Sequence, residues 1–188
     1  MQAMEYLKLV MVRPHLDAIP QHALPAGYTM RRFGEGDRAT WLAIQQASET
    51  HITITEKTFD DNFGGDQLAL PRRGFFLVAP DGTDVGTITA WYDRKYHGLP
   101  WGRIHWVAIV PAHRGKGLAK PMLSVAMNRL RSLGHRRAIL GTQTPRLAAI
   151  KVYLDFGFTP DMTAPDAARA WRLVQQHLPH PLLVGLSG

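Results

Sequence analysis

A mixed α/β (α+β) fold is predicted by the sequence, with a mostly antiparallel sheet flanked by helices and an extra helix near the C-terminus. Three observations predict it. Strand-like and helical runs do not alternate as strictly as in a doubly wound sheet. GFFLVA (74–79) and VGTITAWY (85–92) flank PDGTD, where Asp81-Gly82 supplies hairpin turn chemistry. Beyond residue 117, apolar residues recur at helical spacing twice: Leu118, Met122, Val125 and Leu130, then Ala167, Ala170, Trp171, Val174 and Leu178.

The elements follow in chain order. EYLKLVMV (5–12) predicts a first strand, and RPHLDAIPQHALPAG an extended connector punctuated by proline. YTMRRF (28–33) predicts a second strand. Asp37 stands where a helix N-cap is needed, ahead of Trp41, Ile44, Gln45 and Ser48. A second helical or lid-like segment spans about 55–63, before the hairpin. RIHWVAIV (103–110) is the next strand, and a helix follows from about Gly117 or Leu118 to a C-cap at Gly134. RAIL (137–140) predicts a strand, 147–156 a helix ended by Gly157, and Phe158 the start of a last strand-like piece. Residues 166–178 predict the terminal amphipathic helix. PLLVGL (181–186) has the composition of a final strand, without an evident place in the sheet.

The length of 188 residues suits one compact unit, divided into an N-terminal extension (1–27), a core (28–160) and a C-terminal helix and tail (161–188). Apolar residues make up 45% and charged residues 20%, enough to bury a core. No cysteine is present, which excludes disulfides, thiolate metal sites and a cysteine nucleophile. No segment approaches the roughly 20 apolar residues of a membrane span, and the expectation is a cytoplasmic protein with no membrane partner and no metal. The formal charge of +7 is unevenly distributed. Between Asp93 and Asp155 there is no acid, but twelve Lys and Arg, whereas 35–66 carries seven acids against Arg38 and Lys57. Such polarity suits an anionic ligand.

That basic tract contains HWVAIVPAHRGKGLAKP (105–121). A P-loop would need a glycine five residues before Gly115, where Val110 stands, and a Ser or Thr after Lys116, where Gly117 stands. A dinucleotide fingerprint would need a glycine at Lys120 and a downstream acid, and has neither. The physics those motifs share does survive. Glycines after a strand let successive amides curl inward, and the first turn of the next helix adds unpaired donors and a positive dipole end. Pro121 is tolerable only near a helix start, which places that start at the glycines.

Arg114-Gly115-Lys116-Gly117-Leu118-Ala119 resembles the R/Q-x-x-G-x-G/A element of the GNAT superfamily of acyl-CoA-dependent N-acetyltransferases. AIKVYLDFGF (149–158) is similar to that family's second signature, and GYTMRRFGEGDRATWLAI to its first strand and helix, so the resemblance covers about 28–158. It implies that amides from Arg114, Gly115, Lys116, Gly117, Leu118 and Ala119 hold the coenzyme A pyrophosphate. It further implies that the backbone of Val107 and Ile109 faces the pantetheine arm along a splayed strand edge, with acetyl-CoA as co-substrate. Two departures stand out: Arg146 occupies the region of the family's usual asparagine, and the usual hydrophobic final strand is missing from the tail.

Amide formation from a thioester needs a neutral amine, a stabilised oxyanion and a proton for the departing thiolate. The resemblance assigns that proton to Tyr153. The family's base position corresponds to Arg103 or His105. Guanidinium cannot serve, but imidazole can, so His105 is the candidate base, beside Asp93 or a water chain. Glu49, Glu56, Asp60 and Asp61 are candidates to attract a cationic amine, and Trp91, Tyr92, Tyr96 and Trp101 to wall an apolar group. The expected function is acetyl transfer to a primary amine of a small molecule or peptide, by direct transfer in a ternary complex. A non-catalytic acyl-CoA-binding or regulatory module is the alternative. Nucleic acid is not an expected partner, for no reader helix or stacking pattern accompanies the basic tract. The oligomeric state, a homodimer included, is left open.

Overall fold

The computed structural model describes residues 4–185. Seven strands form one sheet in the order β2-β3-β4-β5-β6-β1-β7. They are β1 (Lys8–Arg13), β2 (Thr29–Arg32), β3 (Gly74–Val78), β4 (Asp84–Asp93), β5 (Trp101–Ile109), β6 (Ala138–Gln143) and β7 (Thr159–Pro160). The helices are α1 (Arg38–Ser48), α2 (Glu56–Phe63), α3 (Leu70–Arg73), α4 (Ala119–Ser132), α5 (Leu147–Asp155) and α6 (Ala167–Gln175). Every neighbouring pair of strands is antiparallel except β5 and β6. The fold is therefore the mostly antiparallel, helix-flanked sheet with a C-terminal helix that the pattern predicts.

The predicted hairpin forms as β3 and β4. The Ala79 amide donates to the Thr83 carbonyl at 2.8 Å, and Asp81 Oδ1 accepts from the Thr83 amide at 2.9 Å. Alternation along β3 splits its side chains between two cores. Phe75 and Leu77 face the layer of α4, α5 and α6, where Met122, Met127, Leu154 and Trp171 are buried. Phe76 faces α1 and α2, with Trp41, Phe59 and Phe63. Trp41 meets the Phe59 and Phe63 rings edge-on at 5.2 and 5.6 Å, a favoured aromatic geometry.

Two local expectations change. Asp37 precedes α1 but makes no side-chain cap. Its carboxylate instead accepts from Arg31 at 2.6 and 2.8 Å and from the Gly34 amide at 2.7 Å. Charge-assisted bonds to a guanidinium outcompete a neutral cap. PLLVGL is not a strand either: Pro181–Leu183 is a single 3-10 turn, and position 186 lies outside the described residues.

The slot beside β6 is filled from the opposite end of the chain. β1 pairs antiparallel with β6, Val10 opposite Gly141, and also with β7. The connector after β1 packs onto α4, where Ser124 Oγ donates to the Pro20 carbonyl at 2.8 Å and accepts from the His22 amide at 3.1 Å. Buried Arg13 ties the connector's start to the end of α5 by donating to the carbonyls of His15 and Phe156. No helix of the described residues is long and apolar enough to cross a membrane.

Candidate active site

The sheet opens in the middle of β5. That strand pairs with β6 only from Gly102 to Ile104, opposite Ala138 to Leu140, and the two diverge beyond. On its other side β5 stays with β4, but the register shifts: two steps on β4, Thr87 to Thr89, match three on β5, Ala108 to His105. The extra residue is a β-bulge, and Trp106 takes a left-handed φ of 48° to make it. Such a conformation costs a bulky residue on the order of 1–3 kcal/mol. Gln45 of α1 holds it, donating Nε2 to the Trp106 carbonyl at 3.1 Å. Past the bulge, the Val110 amide donates to Val85 of the β4 side at 2.9 Å. By period two, the backbone groups of Ile109 and Val107 then point away from β4, into the opening.

Two clefts of about 570 and 580 Å³ lie against this opening. The first runs from the free part of β5 to the turn before α4 and the start of α5. The second reaches towards β1 and β6. Gln45, Glu49, Val107, Arg146, Ala149 and Tyr153 line both, so the clefts meet where α1, β5 and α5 converge.

The glycine turn forms one end of the first cleft. Gly115 and Gly117 have φ of 75° and 74°, and a Cβ built on either would meet nothing within 4 Å. Glycine is needed there for conformation rather than for room. α4 begins at Ala119 with Leu118 at its N-cap position, so the amides of its first turn have no partner within the helix. The turn thus leads into amide donors at a helix N-terminus. The surrounding cations are more occupied than their number suggests. Arg114 donates Nε to the Ile109 carbonyl at 3.0 Å and Nη2 to the Ser48 carbonyl at 2.7 Å. Lys120 pairs with Asp155 at 3.0 Å, and Asp155 also takes Lys151 and His180. Burial would raise the Asp155 carboxyl, but these partners outweigh it and bring it down to about 2. Lys116 stands exposed with no ion pair among the described residues.

Tyr153 is buried on α5 at the meeting point of the clefts. Burial, with only a weak opposing field from Arg146, pushes its phenol up to about 12. It stays protonated at neutral pH and can only donate a proton there. His105 lines the second cleft, its ring edge-on to Phe63 at 5.8 Å. Burial and then the charge of Arg103 hold its pKa well below the ordinary imidazole value. Its tautomer follows from a relay. Asn62 Nδ2 donates to the Thr58 carbonyl at 2.7 Å, which leaves Asn62 Oδ1 to accept from His105 Nε2 at 3.0 Å. A carbonyl can only accept, so Nε2 carries the hydrogen and Nδ1 the lone pair. Asn62 was not legible as a partner of His105, for 43 positions separate them.

A second feature missed in the sequence sits at the same junction. Glu49, whose side chain is 6% exposed, accepts from Arg146 Nη2 at 2.5 Å and from the amides of Thr50 and His51 at 2.9 and 2.8 Å. Burial alone would raise its carboxyl; the His51 amide and Arg146 outweigh that and lower it. The pair fixes the end of α1 against the start of α5.

The other candidates are placed elsewhere. Asp93 lines neither cleft and accepts from the Lys95 amide at 3.1 Å. Glu56 and Asp60 are held by Arg38, and Asp61 by Lys57. Trp91, Tyr92, Tyr96 and Trp101 line neither cleft: Trp91 and Trp101 are buried in packing, while Tyr92 and Tyr96 donate to Asp66 and Asp161. Among the described residues, no three His, Cys, Asp or Glu side chains gather as metal ligands.

A sheet split beside a glycine turn, with a tyrosine helix across the gap, is the architecture of an N-acetyltransferase. The chain belongs to the Acetyltransferase (GNAT) family, whose profile matches residues 37–158. A mycothiol acetyltransferase of Streptomyces griseus is 31% identical over 147 residues, which are 75% of this chain and 46% of that protein. The chain spans about half the length of the curated relatives it matches. A GCN5-related N-acetyltransferase from Sphaerobacter thermophilus superposes with a TM-score of 0.66 at 24% identity, covering 83% of this chain and 50% of that one. Arabidopsis thaliana Naa50, in complex with the bisubstrate analogue CoA-Ac-MVNAL, gives a TM-score of 0.51 at 18% identity, covering 70% of this chain and 83% of that one.

Proposed function

We propose that this chain transfers an acetyl group from acetyl-CoA directly to a primary amine of a small molecule or peptide. Residues 28–160 carry the reaction, and 1–27 and 161–188 complete the same unit. The observation that carries this reading is the meeting of two separate clefts at Tyr153, one ending at the glycine turn and the N-terminus of α4. Two clefts that touch suit a ternary complex, and a chain without cysteine has no thiol to relay the acetyl group.

In this proposal the amides of residues 115–119 hold the pyrophosphate, with the dipole of α4 behind them. The open backbone of Val107 and the Ile109 amide take the amide groups of the pantetheine arm, while the Ile109 carbonyl is already covered by Arg114. His105, neutral and with its lone pair fixed on Nδ1, accepts the amine's proton. Tyr153 donates to the departing sulfur. The test is coenzyme A release with a panel of amines, alongside calorimetric binding of acetyl-CoA. Amine-dependent release is expected; tight binding with no amine raising thiol release would make the chain a binding module.

The lowered imidazole gives a pH prediction. A base must be neutral to act, so its acid limb lies below the ordinary value of about 6.5, while an aliphatic amine deprotonates towards about 10.4. Log kcat/KM should then rise with a slope of one from about pH 6 to 8, set by the amine alone. A slope of two setting in near about pH 6.5 would show an imidazole of ordinary acidity and remove this role for His105.

A further inference from the structure

The second cleft has an electrostatic problem that the transferase reading makes acute. An amine acceptor enters it mostly as a cation, yet the unpaired charges lining it are themselves cationic. Arg103 is half-buried in its wall, on the same face of β5 as His105, and its guanidinium makes no hydrogen bond or ion pair among the described residues. Other inward-facing arginines are engaged: Arg146 with Glu49, Arg31 with Asp37 and Asp84, Arg13 and Arg73 with carbonyls. Lys8 adds a second cation to the cleft without an ion pair among the described residues. The cleft's one acid, Glu49, is already neutralised by Arg146.

The residues of the same wall include three buried polar atoms with no partner among the described residues: Trp106 Nε1 and Arg146 Nε, donors, and Gln143 Oε1, an acceptor. Buried polar atoms without partners carry a desolvation cost, and so does the half-buried Arg103 guanidinium, whose burial is opposed only by the field of Asp93 and by no acid in ion-pair contact among the described residues. A bound molecule that is an anion at one end and an amine at the other answers the guanidinium of Arg103, which, unlike those three atoms, keeps some exposure in the cleft. The guanidinium fork matches a carboxylate in two parallel bonds.

Resting on the transferase reading above, we propose that the acceptor carries a carboxylate beside its amine, as an amino acid does, and that Arg103 takes that carboxylate in the second cleft. Arg103 then sets specificity, while the chemistry stays with Tyr153 and His105. The proposal explains how a cationic wall accepts an amine: the ligand brings its own counter-charge.

The experiment compares each common L-amino acid with its α-carboxamide as acceptor, in the wild type, Arg103→Gln and Arg103→Lys. Solvent chemistry works against the proposal, because the α-amine of a carboxamide, like a peptide N-terminus near about 7.7–8.0, supplies more neutral amine. A preference for the acid must therefore come from the protein. The wild type should favour at least one acid over its carboxamide by about 10-fold or more in kcat/KM. That ratio should fall to near unity in Arg103→Gln and recover in part in Arg103→Lys, which keeps the charge without the fork. Acetyl-CoA affinity of each variant reports that it has folded. A wild type that acetylates amines but treats acid and carboxamide alike, or an Arg103→Gln that keeps the preference, overturns the proposal and leaves the transferase reading standing. If no amine is acetylated, calorimetry of the amino acids on the coenzyme A complex decides. Binding that Arg103→Gln abolishes supports the carboxylate site and removes the transferase reading; no binding overturns both.

Discussion

Gly117→Asp is expected to abolish measurable acetyl-CoA binding while leaving a folded protein. The left-handed φ of 74° is the reason to choose aspartate over a bulkier residue, since Asp and Asn tolerate that region better than most. Nothing lies within 4 Å of the new Cβ, so the fold meets no clash. What changes is the cradle: a carboxylate now stands beside the amides of the turn and the helix start, where a pyrophosphate would need to be. Placing like charges together costs several kcal/mol, and about 3 kcal/mol alone is a factor of about 100 in affinity. Gly117→Asn separates charge from backbone, having the same shape and no charge, and should weaken binding only a few-fold. Calorimetry with acetyl-CoA measures both. Wild-type affinity in Gly117→Asp would remove the amide cradle from the proposed mechanism, and equal losses in both variants would assign the effect to backbone strain.

The glycine turn was legible in the sequence because its causes are local. Two glycines, a strand before them and Pro121 after them fix the chain within about one turn of helix, and α4 begins at Ala119, one residue beyond the expected range. The hairpin and the C-terminal helix were legible for the same reason. What escaped depends on partners far apart in the chain. The place of β1 between β6 and β7 is set by pairs such as Val10 with Gly141, and EYLKLVMV reads only as a strand in need of a neighbour. That placement also accounts for the missing final strand in the tail: the position beside β6 is taken by the N-terminus. The bulge at Trp106 is silent in WVAI, a uniform strand-like run, because it arises from register against β4 and a hydrogen bond from Gln45.

The candidate site divides along the same line. Tyr153 and the residues of the turn are readable through short motifs, whereas the Glu49–Arg146 pair joins positions 97 residues apart. Reading acids by their local charge led to the opposite role for them. Glu56, Asp60 and Asp61 looked free to attract an amine, yet Arg38 and Lys57 already hold them. The informative charge is Arg103, which sequence reasoning set aside because it cannot be a base, and which the fold leaves unpaired in the second cleft.

Tyr153→Phe should lower kcat by roughly 100-fold or more, the usual scale for loss of a positioned acid, with near-normal acetyl-CoA affinity. The phenol's pKa of about 12 sharpens the argument. A free thiol titrates near about 8.5, so a phenol of this acidity would not protonate a thiolate in water. The apolar surroundings that push the phenol up act equally on any thiolate formed beside it, raising the sulfur's basicity and narrowing the gap. Proton donation is therefore favourable only as negative charge develops on sulfur inside the site, which confines the effect to the transition state and hence to kcat. Phenylalanine keeps the ring and its packing against Phe158, so the fold should hold. Pre-steady-state turnover with acetyl-CoA and a saturating amine measures the chemical step directly. A wild-type rate for Tyr153→Phe would pass the thiolate's proton to solvent, and a loss confined to acetyl-CoA affinity would make Tyr153 part of the cofactor wall alone.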